Sequence, residues 1–183
     1  MIHKGDRLEN PVTGETLIFH ETSQETGGEY VVVETIIRPD GFVAAPHMHP
    51  YQTERFEVLE GRLGLSVGGE ELVAEPGDVA VVEPRTAHQF WNAGDGETRF
   101  VCKVSPALEF ESLIETMFSL AAEGKTNRKG MPNPLRLAVI ARSHFDTVRL
   151  PFPPVWLQRL GLAMVAPLGR MLGYRPTFVA PAV

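Results

Sequence analysis

The sequence predicts a mostly-β barrel or sandwich followed by an α-helical segment. Many short apolar runs, separated by turn residues roughly every 8–12 positions, occupy the chain up to about residue 105. At Pro106 the apolar residues change to helical spacing. The composition, 43% hydrophobic and 22% charged over 183 residues, suits a globular chain that can bury a core without staples.

Thr16 to His20 is the first apolar run, and the polar stretch Thr22 to Gly28 then ends in a Gly-Gly turn signal. Glu29 to Arg38 is rich in Val and Ile, which suit a pleated surface. Pro39-Asp40-Gly41 is a turn. Arg55 to Leu59 reads as a strand that stops at Glu60-Gly61. Arg62 to Val67 alternates and meets Gly68-Gly69, a hairpin signature. Leu72 to Ala74 follows, then Val79 to Val82 as a buried strand, then His88 to Trp91 and Thr98 to Val104.

Beyond Pro106, Leu108, Leu113, Ile114, Met117, Phe118 and Leu120 recur at helical spacing, and Gly124 is placed to stop that helix. Leu135 to Phe145 is a second helical stretch. Val155 to Leu172 is a third, very apolar one that Pro167 is expected to interrupt. Residues 1–105 are therefore expected to form the barrel. Residues 106–183 are expected to form a helical extension packed on it or on a partner subunit. The uncharged run of the third helix, Leu160 to Gly169, is far shorter than the roughly 20 residues a bilayer needs, so no membrane span is expected.

The net charge of −6 argues against nucleic acid as a partner. It is unevenly distributed: residues 1–106 carry 8 Lys/Arg and 18 Asp/Glu, residues 107–183 carry 9 and 5. A single cysteine, Cys102, permits no intrachain disulfide, and Met1 to Asp6 lacks the apolar stretch of a signal peptide. A cytoplasmic location is expected. Open sheet edges and an apolar tail lead us to expect a homodimer.

His47 and His49, two residues apart on a strand, share a face and can chelate one ion. Glu54 opens the next strand on a face shared with Phe56 and Val58. A lone carboxylate facing a core is costly without a cation. His88 comes from a distant strand and shares its face with Phe90 and Asn92. Phe56 and Phe90 are candidate substrate-lining residues or core residues. Tyr51 and Gln52, in the connection between ligands, are candidate substrate-binding residues as well. His3, His20 and His144 lack such partners, and Cys102 reads as packing.

Residues 41–61 and 77–92 resemble the two signature motifs of the cupin superfamily. The first motif is complete in Gly41, His47, His49, Glu54 and Gly61. The second has Gly77, His88 and Asn92 in place but carries Glu83 where Pro is usual and Arg85 where Gly is usual. The resemblance implies a double-stranded β-helix (jelly-roll) barrel followed by the C-terminal helices. It also implies one divalent transition metal (Fe, Mn, Ni, Co, Cu or Zn) on His47, His49, Glu54 and His88. Such a site keeps positions open for substrate or oxygen.

Three functions are compatible with that reading. The first is a metal-dependent oxidoreductase of dioxygenase type on a small organic molecule, with Glu54 as ligand and proton acceptor; isomerisation and decarboxylation occur on the same barrel. The second is a non-catalytic small-molecule-binding or sensing protein. The third is a structural or interaction role for the apolar tail.

Overall fold

A computed structural model describes residues 1–180 of the chain. The first 105 residues carry strands β1 (Arg7–Asn10), β2 (Glu15–Glu21), β3 (Val31–Ile37), β4 (Thr53–Glu60), β5 (Leu63–Val67), β6 (Glu70–Ala74), β7 (Val79–Val82), β8 (His88–Asn92) and β9 (Thr98–Ser105). They form two antiparallel sheets, one in the order β1-β2-β3-β9-β4-β7 and a smaller one in the order β6-β5-β8. The inner faces of both enclose one core, and the architecture is the double-stranded β-helix barrel.

The β-branched run in β3 pairs along its whole length with β9, Val31 opposite Val104 and Ile37 opposite Thr98. Inside, Phe56 and Phe100 from the large sheet meet Phe90 from the small one, with ring centroids 5.5 to 6.0 Å apart. Such pairs add about 0.5–1.5 kcal/mol each beyond their buried area, so this cluster ties the two sheets together. Gly68 and Gly69 both have positive φ, 61° and 93°, and make the two-residue turn that sets Val67 opposite Glu70.

Two strand readings are corrected. β1 has no apolar run to announce it, yet it pairs with β2. β7, expected to be buried, lies at the edge of the large sheet with Val79 and Val81 about half exposed. Its continuous apolar stretch therefore reflects an open edge and not a two-sided burial.

Helices α1 (Phe110–Ala122), α2 (Pro134–Ser143) and α3 (Val155–Met171) follow. They stack outward in layers. Phe110 and Phe118 of α1 join the barrel core, with Ile114 and Met117 against it. Ile140 of α2 packs on Leu113 and Leu120 of α1. Ala166 of α3 packs on Ala138 and Val139 of α2. A Cβ on Gly169 would stand 2.5 Å from the Leu135 carbonyl oxygen, so only glycine lets α3 lie this close. Pro167 does not interrupt α3. The Ala163 carbonyl, which loses its helical donor there, is approached by Arg142 Nη1 at 3.5 Å.

Glu15 opens β2 and is buried, and its carboxylate accepts a hydrogen bond from Thr13 Oγ1 at 2.6 Å. Burial raises its pKa from 4.5 to about 7, and the Thr13 bond opposes this only in part. Between those values the folded chain holds a proton that the unfolded chain has lost. Stability therefore falls as pH rises from 4.5 toward 7. Glu15→Gln is expected to flatten that slope and to stabilise the protein above pH 7 by up to about 3 kcal/mol. Thermal melts at acidic and neutral pH check this, and an unchanged slope counts against it.

Candidate metal centre

The chain leaves β3, turns at Asp40-Gly41 and runs beside β8. Phe42 bridges Trp91, and His47 bridges His88 with backbone hydrogen bonds of 3.0 and 2.8 Å. This segment is a set of isolated bridges where a strand was expected, because Pro46 and Pro50 offer no N–H to a ladder. The alternation survives nonetheless, and His47 and His49 point to the same place. Glu54 reaches it from β4, opposite Val82 and Val104. His88 reaches it from the start of β8.

The four side chains converge. One ligand atom from each of His47, His49, Glu54 and His88 lies within 4.8 Å of every other. Glu54 Oε2 is 2.7 Å from His88 Nε2 and 3.5 Å from His49 Nε2. Yet none of these three buried atoms has a hydrogen-bond partner of acceptable alignment. The close approach of Glu54 to His88 is a convergence on a common point more than a donor facing an acceptor. His49, Glu54 and His88 are buried, and His47 is half-buried.

The opposite nitrogen of each ring explains the orientation. His47 Nδ1 donates to the Ala45 carbonyl and His88 Nδ1 to the Thr86 carbonyl, each at 3.0 Å. His49 Nδ1–H is shared between the Thr147 carbonyl at 2.7 Å and Gln52 Oε1 at 2.9 Å. With Nδ1 holding the proton in all three rings, each Nε2 presents a lone pair to the cluster. Three lone pairs and a carboxylate, of which the His49, His88 and Glu54 atoms are buried and unpartnered, form a donor set that fits one divalent cation.

The four groups also shift one another's ionisation. Burial raises the Glu54 pKa, but His49 and His88 outweigh it and hold the carboxyl at about 2. Burial, His88 and His49 together depress His47 to about 3. For His88, burial lowers the pKa and the Glu54 carboxylate more than restores it, for a net rise. A carboxyl held this low is ionised and available to a cation.

In the altered turn of the second motif, Arg85 occupies the position where glycine is usual. Arg85 adopts φ 67°, the left-handed conformation that glycine takes readily, at a cost of roughly 1–2 kcal/mol. Its N–H donates to the His49 carbonyl at 2.7 Å, and this bond anchors the turn to the ligand segment.

The expected substrate residues separate. Phe56 is in the barrel core, 1% exposed, because its ring fills the space between the sheets. Gln52 is equally buried: Nε2 donates to the Pro106 and Ala107 carbonyls at 2.9 Å, and Oε1 faces His49. It therefore braces a ligand and does not face a substrate. Tyr51 stands half exposed at the surface. Phe90 is half-buried and lines a cavity of about 320 Å³ with Phe42, Pro46 and Trp91. Thr147 and Arg149 were not foreseen. Arg149 exchanges two backbone hydrogen bonds of 2.9 Å with Met48, between the two histidines, and this pairing brings the Thr147 carbonyl to His49. Both contacts use backbone atoms, which leave no side-chain signal.

A β-barrel enclosing a three-histidine, one-carboxylate centre is thus the class of molecule in hand. Residues 33–104 match the family model described as Cupin domain, and the helical extension lies outside the matched residues. The chain is 33% identical to quercetin 2,3-dioxygenase of Bacillus subtilis over 62% of this chain and 32% of that protein. It is 28% identical to "Probable oxidoreductase virH" of Hypocrea virens over 86% of this chain and 79% of that one. The chain spans about a third of the length of the Bacillus relative. The structure of KdgF from Halomonas sp. superposes with a TM-score of 0.51 at 18% identity, over 61% of this chain and 94% of that one, a likeness of fold.

Gln52→Leu removes one acceptor from His49 and leaves two junction carbonyls unpaired. It is expected to weaken metal affinity by about 10–100-fold while the barrel stays folded. Competition with a chromophoric chelator, alongside circular dichroism, measures this. Unchanged affinity would show that the Thr147 carbonyl alone holds the ring.

Proposed function

We propose that this protein is a metal-dependent oxidoreductase of dioxygenase type acting on a small organic molecule, with one divalent transition ion held by His47, His49, Glu54 and His88. The observation that carries the reading is the convergence of three tautomer-fixed Nε2 atoms and a low-pKa carboxylate on one desolvated point. The ion, when bound, supplies Lewis-acid and redox chemistry at its open coordination positions. Glu54 contributes the one negative charge. Phe90 and Tyr51 are the accessible residues we assign to substrate contact. The names of the Bacillus and Hypocrea relatives support the reaction class.

A non-catalytic small-molecule binder is the second reading. It is favoured by one observation: the cavity of about 320 Å³ beside Phe90 is lined by none of the four candidate ligand residues. Elemental analysis of protein purified without added metal, followed by oxygen uptake with small aromatic and diketone substrates after loading Fe(II), Mn(II) or Ni(II), separates the two. The enzyme reading expects near one ion per chain and uptake that falls at least about 100-fold in Glu54→Ala, in line with loss of a metal ligand. No turnover with any metal, together with tight binding of a small molecule, favours the binder.

We also propose that the chain forms a homodimer through its open sheet edges, where Leu72 and Val73 of β6 and Val79 and Val81 of β7 are 41 to 49% exposed. Light scattering is expected to give twice the chain mass of 20.2 kDa, and a monomer overturns this.

A further inference from the structure

We propose that the outer face of α3 seats the protein on an anionic phospholipid surface, with the helix lying in the interface and not crossing it. α3 is the outermost layer of the extension: Ala166 and Gly169 on its inner face meet α2, and Arg159 lies over the Phe145 ring. Its outer face is apolar as well. Trp156, Leu160, Met164, Leu168 and Met171 recur at helical spacing along it, with exposures from 49 to 83%, and Phe152 just before the helix is 78% exposed. A helix that is apolar all round is ordinarily covered on every side, and a contiguous exposed apolar stripe marks an interaction surface.

The charge around the stripe selects the occupant. Residues 134–180 contain six arginines and one acidic residue, Asp146. Arg142, Arg159, Arg170 and Arg175 are exposed, and among the described residues none of them forms a salt bridge. Arg159 and Arg170 stand three turns apart on one flank of the stripe. Guanidinium groups beside an apolar face match phosphate headgroups beside acyl chains. A second copy docking by the same face would bring two such arginine sets together. The barrel, with 18 acidic and 8 basic residues before position 107, lies on the far side of α1 and α2. An anionic surface therefore attracts α3 and repels the opposite end, which fixes the orientation. Among the described residues no helix is long and apolar enough to cross a bilayer.

Flotation of the full chain with vesicles of phosphatidylcholine alone, and with about a quarter phosphatidylglycerol, tests this. The anionic vesicles are expected to bind at least about tenfold more tightly, and the difference is expected to collapse from about 0.05 to about 0.5 M salt as the Debye length shrinks. Leu160→Glu with Met164→Glu, and separately Arg159→Glu with Arg170→Glu, should each reduce partition at least about tenfold. These positions are exposed, so circular dichroism should be unchanged. Three results overturn the proposal. One is absence of partition onto anionic vesicles, and another is equal partition onto neutral ones. The third is a dimer that Leu160→Glu with Met164→Glu disperses in the absence of vesicle binding, which assigns the face to a second copy.

Discussion

Each imidazole of the centre is aimed by a backbone carbonyl on its far side. Ala45 holds His47, Thr86 holds His88 and Thr147 holds His49. These bonds take the Nδ1 proton and leave the Nε2 lone pairs facing inward toward Glu54, with no donor to meet those of His49 and His88. Burying such a set without a cation is unfavourable, and burying it with one is not. Much of the surrounding structure serves to deliver those carbonyls: the bridge of His47 to His88, the Arg85 turn tied to the His49 carbonyl, and the Met48–Arg149 pair.

The extension is thereby part of the barrel's chemistry. Gln52 connects the two regions through a single carboxamide, with both donor contacts on the Pro106–Ala107 junction and its acceptor on a ligand. α1 adds Phe110 and Phe118 to the barrel core, and α2 and α3 follow as successive layers. What begins as a brace for His49 ends, two layers further out, as an exposed apolar and arginine-flanked surface. The inner end of the extension bears on the three-histidine, one-carboxylate cluster and the outer end is the exposed face of α3.

Much of this was legible in the sequence because strand periodicity and fixed spacing are local signals. Gly41, His47, His49, Glu54 and His88 stand where the motif requires, and the face of β4 alternates as read, with Glu54, Phe56 and Val58 all buried. β1 was not legible, because Arg-Leu-Glu-Asn has no strand pattern and owes its conformation to β2. The exposure of β7 was not legible either, since an apolar run reads alike at an edge and in an interior. Gln52 was visible as a residue near the ligands, but its direction was set by carbonyls 54 and 55 positions away. Pro167 looked like a break, and a long-range arginine answers for the carbonyl it leaves free.

The bond from His49 to Thr147 closes a loop of 98 residues. A nascent chain emerging from the ribosome presents the whole barrel well before it presents this acceptor. Until residue 147 arrives, His49 can be held only by Gln52, whose own donors await residues 106 and 107. Completion of the centre is therefore a late event in synthesis, and the order of the sequence itself delays the final fixing of the site until the strands and α1 are in place.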